Sequence, residues 1–186
     1  MKYRVWIMAV LGWLSVALTA DAQQLSVKTN LLSDAVTVPS LGAEYAVSDR
    51  WTVALDASWM PARQSSGHYM RQLKLQPEAH YWLRAPFTGP FVGPALGYRL
   101  YNFAGIPLLK TRDTRTQGYL LSAGVTAGWH FTLSDRWGLE PALTVGYAYT
   151  SYRRYDAPLS RLVTRRWYVH YFGPTSLQLN LVYMIK

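Results

Sequence analysis

The chain contains no cysteine, which excludes both a disulfide framework and a thiol-attached lipid. Beyond residue 22 it also lacks any apolar run approaching the roughly 20 residues of a membrane-spanning helix. Acidic residues are scarce: ten Asp and Glu stand against nineteen Lys and Arg, for a formal net charge of +9. The four histidines (His68, His80, His130 and His170) show no metal-ligand spacing. No catalytic motif, metal site or cofactor is expected from these residues.

The N-terminus supplies the first positive signal. Lys2 and Arg4 precede a nearly uncharged stretch from Val5 to Ala20, which ends in Ala20-Asp21-Ala22 before Gln23. A basic end, a short apolar core and a small-x-small site are the parts of a secretory signal peptide. Residues 1–22 are therefore expected to be cleaved, leaving one domain over 23–186; an uncleaved membrane anchor is the alternative. A basic balance often points to nucleic acid. An exported chain does not meet it, so no nucleic acid is expected and another anionic partner must be sought. Eight Trp and fourteen Tyr suit a protein anchored at two membrane interfaces.

From Leu25 onward apolar and polar residues alternate with period two, the pattern of strands. Near the C-terminus Leu177, Leu179, Leu181, Tyr183 and Ile185 share one face, and Ser176, Gln178 and Asn180 the other. Strands are expected near 25–33, 41–48, 51–59, 71–83, 91–102, 118–132, 136–150 and 173–185. Tight turns fall at Ser48-Asp49-Arg50 and Ser134-Asp135-Arg136, with a modest Pro/Gly turn from Arg84 to Pro90. Longer loops are expected near 34–40, 60–70, 103–117 and 151–172. Short turns at one end and long loops at the other, with an even strand count, describe an eight-stranded antiparallel up-and-down transmembrane β-barrel of the outer membrane. The Ser-Asp-Arg-Trp turn occurs twice; reuse of a good turn explains this more simply than duplication.

Alternation alone also fits a soluble barrel with an apolar interior. A soluble exterior would be crowded with Lys and Glu, whereas the polar face here is mostly small: Gly42, Ala46, Ala54, Ser58, Gly93, Ala95, Gly97, Gly124, Gly128, Gly138, Ala142, Gly146 and Ala148. Such residues suit a narrow eight-stranded lumen, and the bulky face suits lipid. The same phase sends Lys28, Glu44, Asp56, Lys74, Glu78, His80, Arg99 and Glu140 inward. Mixed signs in one lumen predict a salt-bridged plug rather than an open channel. Trp51, Trp137 and Phe131 lie near the short turns, while Trp59, Tyr119, Tyr147 and Tyr149 lie towards the other end, forming two aromatic belts.

Most of the remaining basic residues are assigned to the external loops or their rim: Arg63, Arg71, Lys110, Arg112, Arg115, Arg153, Arg154, Arg161, Arg165 and Arg166. Guanidinium groups match phosphate oxygens bidentately, so the loops are expected to bind lipopolysaccharide or a surface protein, with ordinary loop solvation as an equal alternative. A lipid-modifying enzyme would need a Ser–His pair at one interface. His68 or His170 with a serine such as Ser65 or Ser151 is a candidate by proximity in sequence. A non-enzymatic binding role is expected, with a lipid-modifying enzyme or a purely structural, membrane-stabilising barrel as the alternatives.

Val27-Lys28-Thr29-Asn30-Leu31-Leu32 and Leu41-Gly42-Ala43-Glu44 carry a family resemblance, as do Gln76-Pro77-Glu78 with Tyr81-Trp82 and Tyr171-Phe172-Gly173-Pro174-Thr175 with Leu181-Val182-Tyr183. Together they resemble the outer-membrane β-barrel family of Bacteroides-type bacteria known as domain of unknown function 3575. The resemblance spans nearly the whole expected mature chain. It implies an outer-membrane location and, for some members, a link to fimbriae. It supplies no catalytic residues.

Overall fold

In the computed structural model, residues 25–65, 68–104, 114–155 and 163–185 are described. The expected signal peptide lies outside them, as do Lys110, Arg112 and Arg161. Eight strands follow one another: β1 (Leu25–Asn30), β2 (Ser40–Ala46), β3 (Trp51–Ser65), β4 (His68–Trp82), β5 (Gly89–Ala104), β6 (Arg115–Thr132), β7 (Trp137–Tyr155) and β8 (Val163–Ile185). Each pairs antiparallel with its chain neighbours, and β1 pairs with β8 to close an up-and-down ring.

The strand ends differ from expectation in two ways. β1 stops at Asn30 rather than continuing to residue 33, because the Asn30 side chain accepts a hydrogen bond from Leu32 N and caps a short helix, α1 (Leu31–Ala35). The opposite correction applies within the supposed loops at 60–70, 103–117 and 151–172, where the described residues 60–65, 68–70, 103–104, 115–117, 151–155 and 163–172 are strand. Arg63, Arg115, Arg153, Arg154, Arg165 and Arg166 therefore sit on strands, as does Arg71 at the expected start of its strand. Alternation fades in these extensions because the two faces there no longer differ in polarity. Ladder hydrogen bonds need no particular side chain, so pairing continues past the sequence signal.

The two faces of the sheet contrast in side-chain size. Leu41, Val53, Leu55, Leu96, Val125 and Leu177 point outward and are largely exposed, while Ala54, Ala95, Ala142 and Ala148 point inward and are buried. Curvature explains the small interior. A Cβ added at Gly93 would lie 1.8 Å from the Ala79 carbonyl oxygen of the adjacent strand, so nothing larger than glycine fits. Gly173 has a different task. Its φ of +151° accompanies a register shift between Thr144 and Val145 of β7, where the ladder is re-phased beside Pro174.

The two Ser-Asp-Arg-Trp turns are structurally equivalent. Arg50 Nη1 donates to Tyr81 Oη and Arg136 Nη1 to Tyr183 Oη, both at 3.2 Å. Trp51 packs on Tyr81 at 5.2 Å and Trp137 on Tyr183 at 4.9 Å. The Arg50 and Arg136 carbonyls accept from Trp82 N and Met184 N, both at 2.8 Å. Each turn thus clasps a third strand.

The wall is uneven in height. β1 pairs β8 only over Asn180–Ile185, and β2 pairs β3 only over Thr52–Ser58. Above the β1–β2 hairpin, β8 from Val163 to Leu179 and β3 from Met60 to Ser65 have, among the described residues, a strand partner on one side only, and α1 packs against β8.

Candidate functional site

The lumen is sealed at the turn end by Trp82, Phe87, Phe91, Ala46 and Ala142, with Met184 packed against them. Trp82 is fully buried, packs with its ring tilted 45° to Phe91 at 4.8 Å, and donates Nε1–H to Thr52 Oγ1 at 2.9 Å. Phe87 reaches this plug from the β4–β5 turn with a φ of +57°, an uncommon backbone for a bulky residue.

Directly above lies the charged network. Lys28 Nζ contacts Glu44 Oε2 at 3.0 Å, Glu140 Oε1 at 3.5 Å and Asp56 Oδ2 at 3.6 Å. His80 bridges two carboxylates, with Nδ1 at 2.8 Å from Glu44 and Nε2 at 2.7 Å from Glu78. A neutral imidazole has one N–H, so hydrogen bonds to carboxylates at both nitrogens fit the imidazolium form. His130 Nδ1 lies 3.3 Å from Glu140 Oε2. Glu44 accepts from Thr52, and Glu78 from Gln76 and, at 3.2 Å, from Gln178. Asn180 donates to Gln178 at 3.0 Å. These groups come from β1, β2, β3, β4, β6, β7 and β8, so the network ties most of the ring together across its axis.

Six of the eight lumen residues singled out from the sequence meet in this cluster: Lys28, Glu44, Asp56, Glu78, His80 and Glu140. Lys74 and Arg99 do not join it. They are register partners on β4 and β5 and face the lumen beyond the acids. Lys74 Nζ donates to Ser176 Oγ at 2.9 Å, and Arg99 Nε is enclosed with no hydrogen-bond partner. Neither has an ion-pair partner among the described residues. Sequence reasoning missed the neutral members Thr52, Gln76, Gln178 and Asn180, whose inward phase and polar type were the available signal.

On the outer face, cross-strand register creates an arrangement that no single segment reveals. Arg71, Asn102, Gln117, Arg153 and Arg166 are successive partners in one row across β4 to β8. The three arginines are exposed. The next row towards the turns is Leu73, Leu100, Tyr119, Ser151 and Tyr168, followed by Leu75, Tyr98, Leu121, Tyr149 and His170. Arg115 donates to Asn102 at 2.8 Å and lies over the Tyr155 ring at 5.6 Å. Arg154 belongs to the opposite face, where Arg165 is its register partner; Arg63 stands at the β3–β4 bulge.

His170, expected in or near a loop, is on β8, and its Nδ1 is hydrogen-bonded to the Tyr147 hydroxyl. His68 and Ser65 are register partners at the β3–β4 hairpin. Among the described residues no cluster of His, Asp and Glu could hold a metal ion.

No curated protein matches the chain significantly. A family model described as protein of unknown function (DUF3575) matches residues 6–185. The chain therefore belongs to the DUF3575 family, as its strand motifs implied.

Proposed function

We propose that this protein is exported by its N-terminal signal peptide, inserts in the bacterial outer membrane as a β-barrel, and engages lipopolysaccharide phosphates without enzymatic activity. The observation that carries the reading is the exposed arginine row, Arg71, Arg153 and Arg166, set one row beyond an aromatic belt. Below that belt the outward positions of the described strands carry no charge. On β7 this band runs from Trp137 to Tyr147, about 25 Å along the barrel axis for ordinary strand rise and tilt. That is the height of an outer-membrane apolar band. The arginine row then stands at headgroup level, where phosphates of the outer leaflet are within reach of a planar, bidentate donor. A connection to fimbriae or another surface protein rests on the family resemblance alone.

The test has two stages. Heating should change the gel mobility of the protein from an outer-membrane fraction, and its N-terminus should be Gln23. Binding to vesicles containing lipid A should then weaken with added salt and fall about tenfold or more in R71Q/R153Q/R166Q. Dephosphorylated lipid A should bind wild type no better than it binds that variant. Equal binding of lipid A by both proteins would overturn the phosphate reading.

A further inference from the structure

We propose that the upper half of the lumen is a second binding site, for an anionic amphiphile that enters over the low wall above the β1–β2 hairpin and places its head on Lys74 and Arg99. The proposal rests on the membrane setting inferred above but not on lipopolysaccharide binding.

Three observations converge. The first is charge. Lys74 and Arg99 lie directly opposite each other on neighbouring strands, a separation of about 5 Å between Cβ atoms, at which like charges repel. All the described lumen carboxylates that form ion pairs are engaged by Lys28, His80 and His130 instead. The enclosed Arg99 Nε has no acceptor. Burying a donor unpaired beside a second cation is unfavourable, and an oxyanion between the two would remove both costs at once.

The second is access. Lys74 reaches Ser176 on the part of β8 that, among the described residues, has a strand partner on one side only, with α1 packed against β8. A recess of 20 Å³, about one water in size, brings Lys74 together with Asn30, Ser40 and Leu41 at the top of the hairpin and reaches down to Lys28 and its partner Asp56. The paired wall there ends near Ser58, about 18 Å above the turns, below the top of a 25 Å apolar band. The opening thus begins at the depth of the outer leaflet's chains.

The third is the lining. Trp167, Val169 and Tyr171 are register partners of the inward-facing Tyr152, Thr150 and Ala148. They remain 37%, 39% and 49% exposed. On the opposite face of the same segment Tyr168 and Phe172 are 60% and 78% exposed. Apolar surface on both faces of a strand that has a partner on one side only, among the described residues, suits a hydrocarbon chain whose charged head lies on Lys74 and Arg99.

The experiment places the full mature protein in neutral-lipid nanodiscs. Correct insertion is scored first by the heat-dependent mobility shift, so failure of the membrane setting is seen separately. Binding of a fluorescent long-chain fatty carboxylate is then measured against empty discs, with palmitate, hexadecyl phosphate and hexadecanol as competitors. Both anions should compete, and whichever is stronger distinguishes a fatty acid from a lipid phosphate. The alcohol should compete about tenfold less well. K74Q/R99Q should lose about tenfold or more in affinity, K74R should retain binding, and R71Q/R153Q/R166Q should leave it unchanged. Absence of saturable binding, equal binding by K74Q/R99Q, or an alcohol as effective as the acids would overturn the proposal.

Discussion

The two halves of the lumen carry similar kinds of residue and treat them differently. At the turn end, Lys28 touches three carboxylates, His80 bridges two, and an aromatic plug closes the barrel beneath them. At the long-strand end, Lys74 has only a serine hydroxyl and Arg99 Nε has nothing. The first arrangement is what a low-dielectric interior demands of charge: desolvation is offset only when partners and hydrogen bonds surround each group. The second violates that demand within the same barrel. The lesson is that a charged residue in a narrow lumen need not be structural. Whether it is depends on what its neighbours supply.

This contrast can be broken most directly through the lysines. Lys28→Met should destabilise the folded barrel by about 3–5 kcal/mol, because Glu44, Glu140 and Asp56 would lose a shared buried counter-ion. Lys74→Gln should change stability by about 1 kcal/mol or less. Unfolding midpoints in urea, with the protein in vesicles, provide the comparison; equal losses would show that both halves are structural plugs.

A smaller effect is expected where packing rather than charge limits the turn end. Gly93→Ala should cost about 1–3 kcal/mol, since the new methyl group would press on the Ala79 carbonyl and the strands would have to part. The same unfolding titration measures it. An unchanged midpoint would mean that the wall yields at little cost. The smallest effects concern the turns. Arg50→Ala and Arg136→Ala each remove one hydrogen bond to a tyrosine, and each should lower stability by about 1 kcal/mol or less. The two losses should match, because the clasps share their donor, acceptor and distance. Unequal losses would show that the likeness of the turns is geometric only.

Much of this molecule was legible before any coordinates. The period-two pattern located all eight strands, and the small residues of the polar face identified which side is inside. It worked because the alternation is imposed by two different environments on either side of one sheet. Where those environments end, the pattern ends too. The segments around Arg63, Arg115 and Arg153 read as loops, yet backbone pairing carries the described residues there onward as strands. The early end of β1 was invisible for another reason. Leu31 and Leu32 continue an apolar pattern, but the Asn30 cap turns the chain into α1.

For the candidate site the division is similar. Phase alone sent Lys28, Glu44, Asp56, Glu78, His80 and Glu140 into one lumen, since a strand of known register has no other place for them. It could not separate Lys74 and Arg99 from that cluster, because height along the barrel depends on the stagger between strands. Nor could it align Arg71, Arg153 and Arg166, which belong to three strands. The sequence by itself determined which face each side chain takes, a local consequence of pleating. Only the tertiary structure decided which side chains meet, because register and the short β1–β2 hairpin are set by hydrogen bonds between segments far apart in the chain.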